Sequence, residues 1–263
     1  MRIEELDSWQ MITEAKAPSP PDVTLEEVQV AVFSNAADRI IFRRALSDIA
    51  SQDATVRADA VRTIAGVRHE LSVRVLIAQM ASEPSPQVRQ ECIKALTTLE
   101  NKEGLPTIVH ALNDRAALVR LAAVWGLYHL AGAESAPALT HLFSDEDKEV
   151  RRRAATCIGW LGQEALAVKL LPLLADRSIS VRRAAIEAMG NLRSRRVVSA
   201  LIERMNDPEE SIRKAVLSAL KTITGNKMSE RFPSDEKSHQ LLIARWREWW
   251  KDVRSGQGCV HIE

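Results

Sequence analysis

Hydrophobic and polar positions along this chain repeat with a fixed long step. A Val-Arg or Ile-Arg pair stands at Val56-Arg57, Val88-Arg89, Val119-Arg120, Val150-Arg151, Val181-Arg182 and Ile212-Arg213, with spacings of 32, 31, 31, 31 and 31 residues. Counting each Val or Ile as position zero, +4 holds Ala60, Cys92, Ala123, Ala154, Ala185 and Val216, and +7 holds Thr63, Ala95, Gly126, Cys157, Ala188 and Ala219. Position +8 holds Ile64, Leu96, Leu127, Ile158, Met189 and Leu220, and +11 holds Val67, Leu99, Leu130, Leu161, Leu192 and Ile223. The set 0, +4, +7, +8, +11 is the apolar stripe of an α-helix. The small residues at +4 and +7 let a second helix come close. Asp114, Asp145, Asp176 and Asp207 each lie five residues before a position zero, where an aspartate is expected to cap the helix.

The other half of each repeat is a second amphipathic segment. Its apolar positions are Val73, Leu76, Ile77 and Met80, then Leu105, Ile108, Val109 and Leu112. Later copies give Leu139, Leu142 and Phe143; Leu166, Leu170, Leu171 and Leu174; and Val198, Leu201, Ile202 and Met205. Pro106 and Pro137 fall near the start of this segment, where a missing N–H costs little. Two helices of about ten to twelve residues with tight turns fill a repeat of this length. Neither can hide its apolar face alone, so the units are expected to stack side by side.

The string Asp-x-x-x-x-Val-Arg-x-x-Ala-Ala-x-x-(Ala/Gly)-(Leu/Met)-Gly-x-Leu, best kept from Asp176 to Leu192, resembles a HEAT repeat of the short phycobilisome-lyase type. The resemblance implies an all-α fold, a right-handed α-solenoid of stacked antiparallel helix pairs. It implies too that the six arginines at +1 form a structural Asp–Arg ladder. A row of arginines could also be read as a phosphate-binding stripe.

Around the array at 51–224, residues 24–50 read as a degenerate capping repeat. It opens on the capping-box pattern Thr24-Leu25-Glu26-Glu27 and carries Ile41, Phe42, Ala45, Leu46 and Ile49. Residues 1–23 read as a short N-terminal helix (Ile3, Leu6, Trp9, Ile12) and a Pro-rich linker. Residues 225–239 read as a polar loop, and 240–263 as a Trp-rich capping helix and tail, with Leu242, Trp246, Trp249 and Trp250 on its apolar side.

Composition narrows the function classes. Lys and Arg number 36 against 35 Asp and Glu, a net charge of +1, which disfavours bulk attraction to nucleic acid or anionic lipid. No uncharged apolar run approaches the ~20 residues of a membrane span, and the acidic start Met1-Arg2-Ile3-Glu4-Glu5 is no secretory signal. A cytoplasmic protein is expected. Cys92 and Cys157 occupy small core positions and read as packing residues. His69-Glu70 resembles half of a His-Glu motif of deoxyhypusine hydroxylase, without a second copy, and Cys259 with His261 lacks partners for a zinc site. No metal and no cofactor is expected. No nucleophile elbow, phosphate loop or metalloprotease helix is present, so the residues point to a non-enzymatic protein.

The exposed side of the Val-Arg helices carries the departures from the repeat. Positions +2, +6 and +9 oppose the stripe and +3 and +10 flank it. Most copies place there what a solvated face should hold, such as Gln90 and Lys94 or Lys214 and Ser218. The third copy instead has Leu121, Trp125, Tyr128 and His129; the fourth has Arg152, Arg153 and Trp160; the fifth has Arg183. Family resemblance implies that these helices line a concave groove, where exposed aromatics act as anchors for a protein or peptide partner. The same residues could instead be covered by neighbouring helices. The expected role is a protein-binding scaffold or adaptor. Two alternatives stay open: a chromophore-lyase-like or maturation factor working with a partner subunit, and a HEAT-like nucleic-acid binder. A basic turn, Arg193-Ser194-Arg195-Arg196, reads either as solvated or as a contact for an acidic or phosphate-bearing partner.

Overall fold

The computed structural model describes residues 23–226, 228, 233 and 235–255, and among them there is no strand. The helices are α1 (Leu25–Val30), α2 (Ala36–Asp48), α3 (Ala54–Val67), α4 (Glu70–Ser82), α5 (Pro86–Thr98), α6 (Leu105–His110), α7 (Ala117–Ala131) and α8 (Ala136–His141). They continue as α9 (Lys148–Trp160), α10 (Ile179–Leu192), α11 (Val198–Arg204), α12 (Glu210–Thr224) and α13 (Glu236–Ser255). The expected helix and linker before residue 23, part of the polar loop, and the tail with Cys259 and His261 lie outside the described residues.

The chain divides into two compact units, one ending at Ala138 and one starting at Leu139. In the first, the Val-Arg helices α3, α5 and α7 pack in succession; in the second, α9, α10 and α12 do so. Both units are all-α and built from the same two-helix repeat. The side chains at zero in five copies, Val88, Val119, Val150, Val181 and Ile212, are fully buried, while Val56 is 37% exposed. The buried stripe is wider than the one the periodicity marks. Position +5 is inside in every copy, as Val61, Ile93, Val124, Ala155, Ile186 and Leu217. Each Val-Arg helix is covered on two sides, by its neighbour in the stack and by the second helix, so a single stripe cannot describe it.

The second segments are less regular than the sequence suggests. Only α4 is a full α-helix of 13 residues. The next copy uses a 3₁₀ turn at Lys102–Gly104, the six residues of α6, and a second 3₁₀ turn at Ala111–Asn113. A 3₁₀ helix rises about 2.0 Å per residue against about 1.5 Å for an α-helix. Twelve residues therefore span at least what α4 needs 13 for. In the fourth copy the whole stretch Glu164–Ala175 is 3₁₀, with Pro172 inside it.

The acid before each Val-Arg helix does a different task from the expected one. The N-cap residues are Asp53, Ser85, Ala116, Asp147, Ser178 and Glu209, three before position zero. The expected caps Asp114, Asp145, Asp176 and Asp207 sit two residues earlier and accept from the N–H of the N-cap residue, at 2.8 Å for the first three and 3.0 Å for Asp207. An aspartate that far upstream reaches the turn and not the first helical amides.

These acids also hold the arginines at +1. Arg89 grips Asp114 with two bonds of 2.7 and 2.8 Å, and Arg151 grips Asp176 with 2.7 and 3.0 Å. Arg182 donates to Asp207 at 3.1 Å, and Arg57 takes Glu83 in the same way at 2.9 and 2.6 Å. The remaining guanidinium nitrogen points backward: Arg120, Arg151, Arg182 and Arg213 each donate to the carbonyl six residues earlier, that of Asp114, Asp145, Asp176 and Asp207. Burial pushes the carboxyls of Glu83, Asp114 and Asp176 up. The guanidinium and the turn amide together outweigh this and hold all three below their ordinary values.

His69 of the His-Glu pair is the N-cap of α4. Its Nδ1 accepts from the Leu71 amide at 3.1 Å, so Nε2 bears the hydrogen and donates to the Val32 carbonyl at 3.2 Å. The ring stacks on Phe33 at 4.1 Å. At the other end α13 starts at Glu236, four residues before the expected 240, because Asp235 accepts from the Ser238 amide at 2.8 Å. Leu242, Ile243, Trp246 and Trp250 bury one side of α13, which packs on α11.

Candidate partner-binding site

In the first unit the site is the outward side of α7. Its inward side carries Val119, Ala123, Val124 and Leu127, all fully buried. Rotation by about 100° per residue then leaves Leu121, Trp125, Tyr128 and His129 facing away from the core. Leu121 and Tyr128 are half-buried and His129 is exposed, while Trp125 is 38% exposed. The rings touch one another. His129 meets Trp125 edge-on at 4.2 Å, Tyr128 lies 5.9 Å from Trp125, and Tyr128 and His129 are 5.4 Å apart. Edge-to-face contact of this kind fixes ring orientation before any partner arrives.

In the second unit α9 presents Arg152, Arg153 and Trp160, and α10 presents Arg183. Trp160 is 47% exposed. Arg152 and Arg153 are half-buried, and Arg183 is exposed. The structure narrows the expected charge selection. Arg152 donates to Glu149 at 2.8 Å, so its charge is already compensated, whereas Arg183 has no ion-pair partner among the described residues. The eight expected residues therefore fall as an aromatic patch in the first unit and a Trp-and-Arg patch in the second. Trp125 and Trp160 are each partly covered and partly exposed.

Three features escaped the sequence. Glu83 replaces aspartate in the turn acid before the second Val-Arg helix, a one-letter change that hid it from the Asp column. His239 is buried and lies 2.8 Å from the Met205 carbonyl, and Trp250 donates its indole N–H to the Ser199 hydroxyl at 2.9 Å. Both fasten α13, and neither has a repeat counterpart to betray it.

The chain matches the protein family described as HEAT repeats over residues 43–127, 73–157, 105–174 and 167–257. No curated protein sequence matches it. Among solved structures, the Escherichia coli protein YibA superposes with a TM-score of 0.59 at 16% identity, over 94% of this chain and 98% of that one. The complex of CpcE and CpcF of phycocyanin lyase from Nostoc gives 0.47 at 20% identity, over 94% and 93%. Human deoxyhypusine hydroxylase gives 0.40 at 17% identity, over 85% and 97%. The likeness to YibA is one of fold.

Proposed function

This chain belongs to the HEAT-repeat family, and from that premise we propose that it is a non-enzymatic scaffold that binds a partner protein or peptide through outward aromatic residues of its Val-Arg helices. The observation that carries this is the α7 patch: Trp125 stands 38% exposed with Tyr128 and His129 locked against it. Equivalent positions in other copies are Arg62, Lys94, Glu187 and Ser218 at +6, so the helix does not need an indole there. A tryptophan with two side-chain torsions, already oriented by its neighbours, loses little entropy on binding. By resemblance to the family, this side of the helices would face the partner. Trp160 would serve the same way in the second unit, with Arg183 favouring an acidic rim on the partner. Among the described residues no helix is long and apolar enough to cross a membrane. The buried, unbonded thiols of Cys92 and Cys157 suit work in a reducing cytoplasm.

The test is affinity capture from a native lysate of the source cell, read by mass spectrometry, with Trp125→Ala and Trp160→Ala made singly and together. Truncating an interface anchor costs about 2 kcal/mol or more, so the specific partner should fall by roughly tenfold or more with the double variant. Helicity and the urea midpoint should stay as in the parent. Undiminished capture by the double variant would refute the assignment.

A further inference from the structure

A cleft of about 380 Å³ opens in the second unit between α11 and α13, and none of the residues of the proposed scaffold surface lines it. Its floor is apolar, made by Ile202 and the ring of Trp250. Its α13 wall carries Arg247, Lys251 and Arg254, a spacing of four and three that sets all three on one line of the helix. Glu203 is the one acid in the lining, and it is engaged: Arg247 donates to it twice, at 2.9 and 2.6 Å. That pair is neutral. Lys251 and Arg254, both exposed, have no ion-pair partner among the described residues.

At the mouth stands Ser199. Its oxygen accepts the Trp250 indole N–H, which leaves the hydroxyl hydrogen to donate elsewhere. One helical turn earlier come Arg195 and Arg196 of the basic turn, exposed and likewise without an ion-pair partner among the described residues. Among the charged residues that line the cleft, the two without an ion-pair partner among the described residues, Lys251 and Arg254, are both positive.

We propose that the cleft binds the phosphate group of a small phosphorylated ligand. A carboxylate is planar and is satisfied by one guanidinium. A tetrahedral phosphate dianion can accept from an ammonium, a guanidinium and a hydroxyl arriving from different directions, which is the donor set of Lys251, Arg254 and Ser199. The indole and Ile202 then face the organic part of the ligand. The volume lies near the lower end of small-ligand sites and is too small for a folded partner.

Inorganic pyrophosphate serves as the probe, titrated calorimetrically into the full-length protein at low salt. Saturable binding at one site is expected. The pair Lys251→Glu and Arg254→Glu should weaken it by roughly tenfold or more, since two close attractions become repulsions. Because both side chains are exposed, the melting midpoint of that variant should not move. A control with Lys102→Glu and Lys148→Glu, two exposed lysines outside the cleft, makes the same change in net charge and should bind as the parent does. Absence of saturable binding overturns the proposal, and so does equal loss in the control. Hexaglutamate bound as tightly as pyrophosphate would overturn the phosphate assignment. The scaffold function is read by lysate capture with the tryptophan variants and stands or falls separately.

Discussion

Replacing Gly159 by alanine should destabilise the protein, although the same change at Gly66 should stabilise it. Gly159 in α9 faces Ala188 in α10, and a Cβ added there would lie 2.7 Å from both the Cα and the Cβ of Ala188. Carbon atoms in contact sit about 3.5–4.0 Å apart, so the helices must part by about 1 Å. One obstructing atom is backbone, and no rotamer change can remove it. Parting strips contact from the buried residues Ala154, Cys157 and Ile158 on one side and Val181, Ala185 and Ala188 on the other. Overpacking costs about 1–3 kcal/mol, and a displaced helix pair belongs at the top of that range. Alanine returns about 1 kcal/mol of helix propensity, leaving a net loss of about 2 kcal/mol, or roughly 4–8 °C in a chain of this size. Gly66 in α3 has nothing within 4 Å of its added Cβ, so Gly66→Ala should gain about 0.5–1 kcal/mol. At Gly190 the added Cβ would meet Ala219 at 3.4 Å, ordinary contact, so that variant should lie between the two. Urea unfolding followed by far-ultraviolet circular dichroism measures all three midpoints, and hydrogen exchange should place the Gly159→Ala effect in α9 and α10. A Gly159→Ala midpoint at or above the parent's would refute the packing described.

Asp114→Ala should cost about 3–5 kcal/mol, because it leaves the buried guanidinium of Arg89 without its partner. Asp114→Asn keeps an acceptor for the Ala116 amide and should cost clearly less. A urea midpoint for Asp114→Ala within about 1 kcal/mol of the parent would show that the link is dispensable. Acid should unfold the protein through the same groups. Glu83, Asp114 and Asp176 are held below their ordinary values, so the unfolded chain takes up protons first. The stability they give is complete above the ordinary carboxylate values near about 4 and is lost as pH falls through the lowered folded ones. The urea midpoint should be level above about pH 5 and drop steeply below about pH 4; a level profile down to about pH 3 would contradict this. Burial pushes the Cys157 thiol up to about 12 and raises that of Cys92 further, so neither forms thiolate near neutrality. Iodoacetamide followed by peptide mapping should leave both unmodified in the native protein and modify both in urea; rapid native labelling would mean that α5 or α9 opens on its own.

The two-helix repeat was legible because one strict column, Val or Ile followed by Arg, sets the register for everything around it. The extra depth of burial at +5 was present in the letters, yet a single-stripe template has no place for a helix covered on two sides. The role of Asp114 and its equivalents was misplaced by two residues, since a sequence shows where a carboxylate stands but not which amide it meets. The 3₁₀ character of Glu164–Ala175 was hidden, because leucine-rich stretches of that length satisfy a period of 3.0 nearly as well as 3.6. At the site, the repeat identified Trp125 and Trp160 by exception, as large rings where the other copies carry polar side chains. It said nothing of Glu149 beside Arg152, nor of the cleft beneath α13, where no second copy exists to compare.

The guanidinium links described above join a residue to the turn before its own helix and to the turn at the start of the following repeat. A gene encoding such a chain can therefore lengthen or shorten by copying or dropping one module, and each new junction regenerates a complete donor and acceptor set. One extra residue is absorbed, as Arg57 with Glu83 shows, but a longer insertion between the two parts an arginine from its acid. Length in this architecture is thus quantised, and the arginine is the ratchet that enforces the step.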